Sequence, residues 1–376
     1  MLKKIEVKNF KSLKKVEMNL NNLTLLTGIN STGKSSIIQS ILLIKQNLEI
    51  LNPLYRETNF DSVKNLLKNF KINGKYTDFG TNSNILYEYA DNEIIEVKIE
   101  LEKGEIFFEG KIEDKDSEVL RANMENKGEI SELFETKNFT YLSAERISPK
   151  SIYEYSKENI DDSNLGKKGE YTIHYLAEFK NKDIGIEDLK HSGANTYQLL
   201  ENVQCWLSEI SSGISLYPEI NSEVKTSSLK YSYGSKKMLP QNVGFGITYV
   251  LPIIVALLKA KKGDCIIIEN PESHLHPSGQ VSIARLCAKA SQLGVQIIVE
   301  THSDHFFNGV RVAIKERKID NSKVSMYYFY KKNRDSFFSE DSFSIEEIEV
   351  NDDGKINKWP VGFFDEWDIQ LEKLLW

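Results

Sequence analysis

Hydrophobic residues follow two different spacings along the chain, and the first is a period of two. Over residues 3–9, Ile5 and Val7 alternate with charged neighbours, which predicts a half-buried strand. The same period continues through residues 83–113, where short polar connectors separate three alternating runs. This stretch predicts an antiparallel meander of three strands.

The second spacing combines short, wholly apolar runs with helical periodicity. Runs typical of strands buried in a parallel sheet occur at residues 23–26, 265–268 and 295–299. Hydrophobic residues recur at helical spacing over residues 36–48, 247–258 and 283–293. Strand, helix and strand with short joints form a βαβ unit, so the sequence predicts an α/β protein with a parallel sheet.

The stretches between these elements carry weaker signals. We predict that the helix after residue 36 ends near Leu48, before Asn52-Pro53, and that residues 157–170 form a mobile polar loop. Further strands are predicted over residues 139–143, 324–330 and 343–350, with short strands and turns over 211–238. Further helices are predicted over residues 194–211 and, docked on the core, over 364–374.

Composition narrows the class of protein. Of the 376 residues, 40% are hydrophobic and 27% are charged, which is typical of a soluble globular protein. No apolar run approaches the length of a membrane span and no leader-like segment opens the chain, so we expect a cytoplasmic protein without a membrane contact. The three cysteines lie far apart, which favours buried thiols over a disulfide or a zinc site.

Charge is distributed unevenly. The net charge of −7 argues against indiscriminate binding of nucleic acid. The exception is the N-terminus, where six lysines fall within fifteen residues: Lys3, Lys4, Lys8, Lys11, Lys14 and Lys15. They predict either an edge that meets phosphates or the solvated face of a two-stranded ribbon.

A phosphate-binding motif lies between a predicted strand and a predicted helix. Residues 28–35 read G-x-x-x-x-G-K-S, in the setting where this motif forms a P-loop. Its glycines let backbone N–H groups turn toward phosphate oxygens, and the helix N-terminus adds a favourable dipole. Lys34 would reach the terminal phosphates of ATP, and the Ser35 hydroxyl would hold Mg²⁺. The expected nucleotide contacts are Gly28, Asn30, Ser31, Thr32, Gly33, Lys34, Ser35 and Ser36.

Two of the buried strands are followed by acidic residues and a histidine. Glu269 ends the first of these strands, Glu272 follows it, and His302 comes shortly after the second. Because ligands bind at the carboxyl edge of parallel strands, all three are expected beside the P-loop. Glu269 is the predicted ligand in the Mg²⁺ shell, and Lys34, Glu269, Glu272 and His302 form the predicted catalytic set.

Several motifs together resemble the ATP-binding cassette (ABC) heads of the SMC, RecF and OLD group. They are the P-loop, E-N-P-E-S-H-L-H-P at residues 269–277 and E-T-H-S-D-H at 300–305, with N-F-K-S at 9–12 and the ending at 359–367. The resemblance implies an ABC-ATPase head, with a P-loop, RecA-like parallel-sheet core, an antiparallel β-meander lobe and a helical insertion. We assign residues 1–50 and 235–376 to the core and residues 51–234 to the inserted lobe.

The resemblance also implies partners. Two heads of this group enclose two ATP molecules between them, so a homodimer is expected, with the P-loop of one subunit facing the signature segment, residues 242–248, of the other. Gly244, Gly246 and Thr248 would make that contact, and His302 would be the switch histidine near the γ-phosphate. A separate effector protein such as a nuclease, DNA, and a role in nucleic-acid processing or anti-phage defence are further expectations.

Two departures from the group's pattern bear on hydrolysis. The signature segment lacks Leu-Ser-Gly-Gly-Gln, so its assignment rests on position and on its glycines. Asn270 stands where the group has its catalytic glutamate, and an amide orients water but cannot accept its proton. Either Glu272 or Glu269 acts as the base, or hydrolysis is slow and ATP acts mainly as a clamp.

Two other functions stay open. A non-catalytic, ATP-gated DNA clamp in repair or recombination would use the same P-loop without turnover. The spacings His274-x-His276 and His302-x-x-His305 occur in metal hydrolases, and imidazoles with carboxylates suit Zn²⁺ or Mn²⁺. Arg146, next to the strand at 139–143, is either a contact at the nucleotide or dimer face or a salt-bridged strand end.

Overall fold

The computed structural model describes residues 1–57, 69–128, 136–331, 343–360 and 362–375. Its strands are β1 (Leu2–Phe10), β2 (Leu13–Asn19), β3 (Leu23–Gly28), β4 (Asn69–Lys71), β5 (Ile94–Leu101), β6 (Gly104–Lys111), β7 (Val119–Gly128), β8 (Phe139–Leu142), β9 (Ile214–Asn221), β10 (Thr226–Tyr233), β11 (Lys237–Met238), β12 (Cys265–Glu269), β13 (Gln296–Glu300), β14 (Val324–Lys331) and β15 (Phe343–Glu347). Its helices are α1 (Lys34–Glu57), α2 (Lys157–Asp161), α3 (Thr172–Glu178), α4 (Leu199–Ser208), α5 (Phe245–Lys259), α6 (Pro277–Gln292), α7 (Asp304–Lys315) and α8 (Glu366–Leu375).

The predicted parallel sheet is confirmed, and it carries the P-loop. Its strand order is β15-β14-β3-β13-β12-β8, and every neighbouring pair is parallel except β14 with β15. The P-loop strand β3 lies between β14 and β13, while β12 lies one strand farther away. Pairing of Glu300 with Leu26 and of Glu269 with Glu300 places both carboxylates at the edge where the P-loop begins.

Each face of this sheet is buried in a separate hydrophobic core. Leu25 and Ile266 point into a core shared with α4, α5, α6 and α7. Leu26 and Ile267 point the other way, into a core shared with α1 and the antiparallel sheet. Burial on both faces explains why β3, β12 and β13 read as apolar runs rather than as alternation.

The antiparallel sheet has the order β2-β1-β5-β6-β7-β4. Strands β5 and β6 match the predicted meander, but the first predicted strand, at residues 85–89, is wrong. Ile85 and Tyr87 are buried, yet their backbone groups bond to Lys11, Asn9 and Ala90 and do not extend a ladder. Strand β7, which was not predicted, is the third strand of the meander and pairs with β6. Its buried side chains are Leu120, Ala122 and Met124, and they alternate with polar or charged residues.

Several element boundaries differ from the prediction. Helix α1 continues beyond Asn52-Pro53 to Glu57, so the pair does not end it. Residues 157–161 form α2 rather than a loop, because the Ser156 hydroxyl accepts a hydrogen bond from the Asn159 amide and caps the helix. The C-terminal helix forms as predicted, but Leu371 and Leu374 are exposed on it, while Phe363 before it is buried.

The two sheets interleave along the sequence. Strands β1 and β2 come from the predicted core but lie in the antiparallel sheet, and β8 comes from the predicted insertion but lies in the parallel sheet. The small sheet β11-β10-β9 and helices α2, α3 and α4 make up the rest of the stretch between β8 and α5. The division at residues 50 and 235 therefore stays a prediction of domain limits.

Candidate functional site

The turn after β3 has a backbone that its glycines make possible. Gly28 and Gly33 have φ of 128° and 102°, and Ser31 lies in the left-handed region at 61°. A Cβ atom on Gly28 would come within 2.1 Å of the Phe329 carbonyl oxygen, and one on Gly33 within 2.5 Å of the Leu13 side chain. Only glycine fits these two positions, and the chain curls there into a phosphate-sized loop.

Lys34 lies folded under this loop. Its Nζ atom donates to the carbonyl oxygens of Gly28 at 3.0 Å and Ile29 at 2.6 Å, and the side chain is 3% exposed. Burial lowers the pKa of Lys34, and the nearby charge of Glu300 opposes that shift. The Lys34 ammonium could replace its hydrogen bonds to these carbonyl oxygens with stronger ones to the oxygens of a bound phosphate.

A cavity of about 510 Å³ opens above the P-loop. It is lined by residues 30–36 together with Lys11, Ser12, Gln39, Asn270, Glu300 and His302. All predicted nucleotide contacts in the P-loop therefore border it except Gly28, which forms the turn beneath. Lys11, one of the six N-terminal lysines, donates to Gln39 Oε1 at 2.8 Å and brings a second cation to the cavity.

Glu300 is the carboxylate that reaches the P-loop. Its Oε1 atom accepts a hydrogen bond from the Ser35 hydroxyl at 2.9 Å, while its Oε2 atom is buried without a hydrogen-bond partner among the described residues. Burial, together with the charge of Glu269, raises the pKa of Glu300 to about 7. Glu300 begins the motif at residues 300–305 and is not among the site residues predicted from the sequence.

Glu269, the predicted Mg²⁺ ligand, is separated from the P-loop strand by β13 and is hydrogen-bonded to residues at the β8 side of the sheet. Its Oε1 atom accepts from the Tyr141 hydroxyl at 3.1 Å and its Oε2 atom from the Ala144 amide at 3.0 Å. Burial raises the pKa of Glu269 against these hydrogen bonds. Its role in metal binding stays a prediction, and Ser35 is bonded to Glu300 instead.

Glu272, one of the two candidate bases, ties down the segment that carries His302. Its carboxylate accepts from the Thr301 hydroxyl and the His302 amide, both at 2.8 Å. His302 is exposed and borders the cavity, and partial burial with the charge of Lys34 lowers the pKa of its imidazole. A neutral ring beside the phosphate cavity is what the predicted switch role needs.

Asn270 and Arg146 shape the turn after β12. Asn270 has φ of 45°, borders the cavity, and buries its Oδ1 atom without a partner in the described chain. The Arg146 guanidinium donates to the carbonyl oxygens of Ser143 at 2.9 Å and of Glu269 and Asn270 at 2.5 Å. It also lies 4.3 Å from the ring centre of Tyr249. The Arg146 side chain therefore holds the turn after β12 (the acidic turn) through that turn's backbone carbonyls and forms no salt bridge with any carboxylate that the structure describes.

The predicted signature residues differ in accessibility. Gly244 is exposed at the start of α5, and Phe245 beside it is 43% exposed. Gly246 is buried against the His274 carbonyl, and Thr248 is fully buried with its hydroxyl 3.0 Å from that of Tyr231. In this arrangement Gly244 and Phe245 are available to a second molecule, whereas Thr248 is not.

Replacing Gly246 with alanine is expected to lower the free energy of unfolding by about 1–3 kcal/mol. The new Cβ atom would lie 2.2 Å from the His274 carbonyl oxygen, which is backbone and cannot rotate away. The matched control is Gly244→Ala, whose Cβ atom meets nothing within 4 Å and should cost less than about 1 kcal/mol. Urea unfolding measures both, and equal losses would contradict the predicted close contact.

The first histidine pair, His274 and His276, is engaged in packing and capping, whereas His302 of the second pair borders the cavity. His274 packs against the rings of Phe245 and Tyr249 at centroid distances of 4.7 and 5.0 Å, and His276 Nδ1 accepts from the Ser278 amide at the start of α6. In the part of the chain that the structure describes, no three His, Cys, Asp or Glu side chains are grouped to hold a metal ion. The geometry gives no support to the metal-hydrolase alternative.

Of the six N-terminal lysines, Lys3, Lys4 and Lys8 pair with acidic neighbours, whereas Lys11 borders the cavity. Lys4 binds Glu6 and Glu17 at 3.2 and 2.7 Å, and Lys8 binds Glu96 at 2.7 Å. This pairing is typical of a solvated strand face, which was one of the two interpretations of the basic N-terminus. Among the described residues, no helix is long and apolar enough to cross a lipid bilayer.

Comparisons with known proteins match this architecture. The family profile described as "AAA domain, putative AbiEii toxin, Type IV TA system" matches residues 23–308, and one described as a protein of unknown function (DUF3696) matches residues 319–374. The chain is similar to the OLD nuclease of Thermus scotoductus, with 24% identity over 345 residues. That match covers 84% of this chain and 62% of the relative, so the chain spans less than two thirds of its length.

Two solved structures share the fold. An SMC head bound to the C-terminal winged-helix domain of ScpA superposes with a TM-score of 0.54 at 15% identity, covering 93% of this chain and 98% of that one. The SMC head of Pyrococcus furiosus, with an extended coiled coil and bound to the C-terminal domain of ScpA, has a TM-score of 0.52 at 13% identity and full coverage of both chains. The resemblance to the SMC, RecF and OLD group and the ABC-ATPase head fold are thereby confirmed.

Proposed function

Because the chain belongs to this AAA domain family, we propose that it binds ATP with Mg²⁺ in the cavity above the P-loop and hydrolyses it slowly. The observation that carries the proposal is Lys34, a buried cation whose partners are loop carbonyls facing a cavity large enough for a triphosphate. Ser35, at the first turn of α1, lies beside a carboxylate, as a Mg²⁺ site in a P-loop protein requires.

The residues around the cavity have separable roles in this proposal. Lys34 and Lys11 neutralise phosphate oxygens, and the amides at the start of α1 receive them at the positive end of the helix dipole. Mg²⁺, when bound, withdraws charge from the phosphates. His302, with its lowered pKa, offers a neutral imidazole to the terminal phosphate. These groups position ATP for attack by water.

Slow hydrolysis is expected because neither of the two predicted bases is free to act on the water that attacks ATP. Asn270 borders the cavity, and an amide side chain orients a water molecule but cannot take its proton. Both candidate bases, Glu269 and Glu272, already accept hydrogen bonds on each carboxylate oxygen. ATP binding with slow phosphate release supports the proposal, and a chain that retains no ATP in equilibrium dialysis with Mg²⁺ contradicts it.

We further propose that ATP joins two copies of the chain through Gly244 and Phe245, which are exposed at the start of α5. With a slowly hydrolysed ATP analogue, light scattering should show a doubled mass for the wild type. Phe245→Glu should prevent doubling while ATP binding by the monomer is retained, because an apolar contact would strip water from the new carboxylate without giving it a partner, which costs free energy. Val312→Glu, at an exposed apolar residue of α7, is the control. A doubled mass for Phe245→Glu would exclude this interface.

The biological setting proposed is nucleic-acid processing, including anti-phage defence, with a separate effector such as a nuclease. Its support is the similarity to an OLD nuclease, of which this chain covers 62%. The second candidate is an ATP-gated DNA clamp without turnover, which Asn270 favours. Phosphate release measured with and without DNA separates the two. Tight ATP binding with no release under either condition supports the clamp.

A further inference from the structure

We infer that Glu300, rather than Glu269, supplies the carboxylate that completes the Mg²⁺ site around Ser35. The inference rests on the proposed ATPase function and assigns a position within that site. It changes which strand provides the acidic ligand. The ligand comes from β13, which pairs with the P-loop strand β3, and not from β12, which lies one strand farther away.

The first argument is the geometry of Glu300. Its Oε1 atom is 2.9 Å from the Ser35 hydroxyl, and the residue borders the cavity. The side chain is 6% exposed, and its buried Oε2 atom has no hydrogen-bond partner in the described part of the chain. A buried carboxylate oxygen without a partner costs free energy unless a ligand satisfies it.

The second argument is that Glu269 is already satisfied. Tyr141 and Ala144 donate to its two oxygens, one each, and both donors belong to the β8 side of the sheet. Glu269 does not border the cavity, whereas Glu300 does. Turning Glu269 toward Ser35 would break two hydrogen bonds of a buried carboxylate, whereas Glu300 already lies beside the Ser35 hydroxyl.

The third argument is the chemistry of the ion. Mg²⁺ binds oxygen ligands and takes one or two carboxylates together with phosphate oxygens and water. The Ser35 hydroxyl and the Glu300 carboxylate, beside a cavity large enough for a triphosphate, supply two such oxygen ligands. A cation bound beside Ser35 would also offset the cost of burying Glu300, because it would supply the partner that the Oε2 atom lacks among the residues that the structure describes.

The test measures the metal directly. Electron paramagnetic resonance of Mn²⁺, titrated into the protein with a slowly hydrolysed ATP analogue, gives the affinity of the metal in the nucleotide complex. Glu300→Gln is expected to weaken Mn²⁺ binding by about ten-fold or more, because it removes a charged ligand while keeping the shape. Glu269→Gln is expected to change it by less than about three-fold, as is Glu145→Gln at a side chain that is 77% exposed.

Each outcome decides a different question. Equal weakening in Glu300→Gln and Glu269→Gln, or weakening in Glu269→Gln alone, would overturn the inference. If Glu300→Gln has a lowered melting temperature, Glu300→Asp serves instead, and it should also weaken Mn²⁺ binding because its carboxylate is one methylene shorter. If the wild type binds neither the analogue nor Mn²⁺, the proposed ATPase function itself has failed.

Discussion

Replacing Lys34 with alanine is expected to lower ATP turnover by about 10²- to 10³-fold. Lys34 is the buried cation that faces the cavity from within the P-loop, and its Nζ atom would follow the negative charge that moves onto the phosphate oxygens as the bond breaks. Phosphate release under single-turnover conditions, at saturating ATP and Mg²⁺, measures the effect.

Fold stability separates this loss from simple unfolding. Lys34→Ala removes the donor to the carbonyl oxygens of Gly28 and Ile29, so its melting temperature is measured as well and turnover is compared at a temperature where both proteins are folded. Lys14→Ala removes an exposed lysine of β2 and should leave turnover unchanged. Turnover within two-fold of wild type in Lys34→Ala would show that hydrolysis occurs elsewhere or comes from a contaminant.

The P-loop and the parallel sheet could be predicted because their signals are local. Gly28 and Gly33 stand at the two ends of the P-loop turn, so the motif is contained within a few residues. A strand that is buried on both faces is apolar throughout, so its signal is also contained within the strand. Strand β7 was missed because its alternation is short: only Leu120, Ala122 and Met124 carry it, and residues 125–128 are polar, charged or glycine. The strand predicted at residues 85–89 has the right alternation, but among the described residues its backbone makes only one isolated bridge to the end of β1, between Leu86 and Phe10.

The candidate site was only partly predictable, because hydrogen bonding between strands depends on their order in the sheet. From sequence, Glu269 and Glu300 are equivalent ends of buried strands. Only the topology places β13 beside β3 and so brings Glu300 to Ser35. Arg146 was missed as a clamp for a similar reason, since its partners are backbone carbonyls that carry no signal in the sequence.

Arg146→Ala is expected to lower the free energy of unfolding by about 3 kcal/mol or more. Arg146 is 5% exposed, and three carbonyl oxygens would lose their donor with it. Burial lowers the pKa of its guanidinium to about 10, so the charge is kept at neutral pH, and the Tyr249 ring stacks on it. Urea unfolding followed by tryptophan fluorescence measures the loss.

The control for this prediction is Arg285→Ala. Arg285 pairs with Glu316 at 3.0 Å, but both side chains are more than 40% exposed, so the pair should contribute less than about 1 kcal/mol. Arg146→Lys is expected to recover only part of the loss, because one ammonium group cannot reproduce the planar fork that spans Ser143, Glu269 and Asn270. If alanine at positions 146 and 285 costs the same, Arg146 does not hold the acidic turn. If Arg146→Ala is far less stable and also binds ATP more weakly, the turn that places Asn270 at the cavity depends on this one guanidinium.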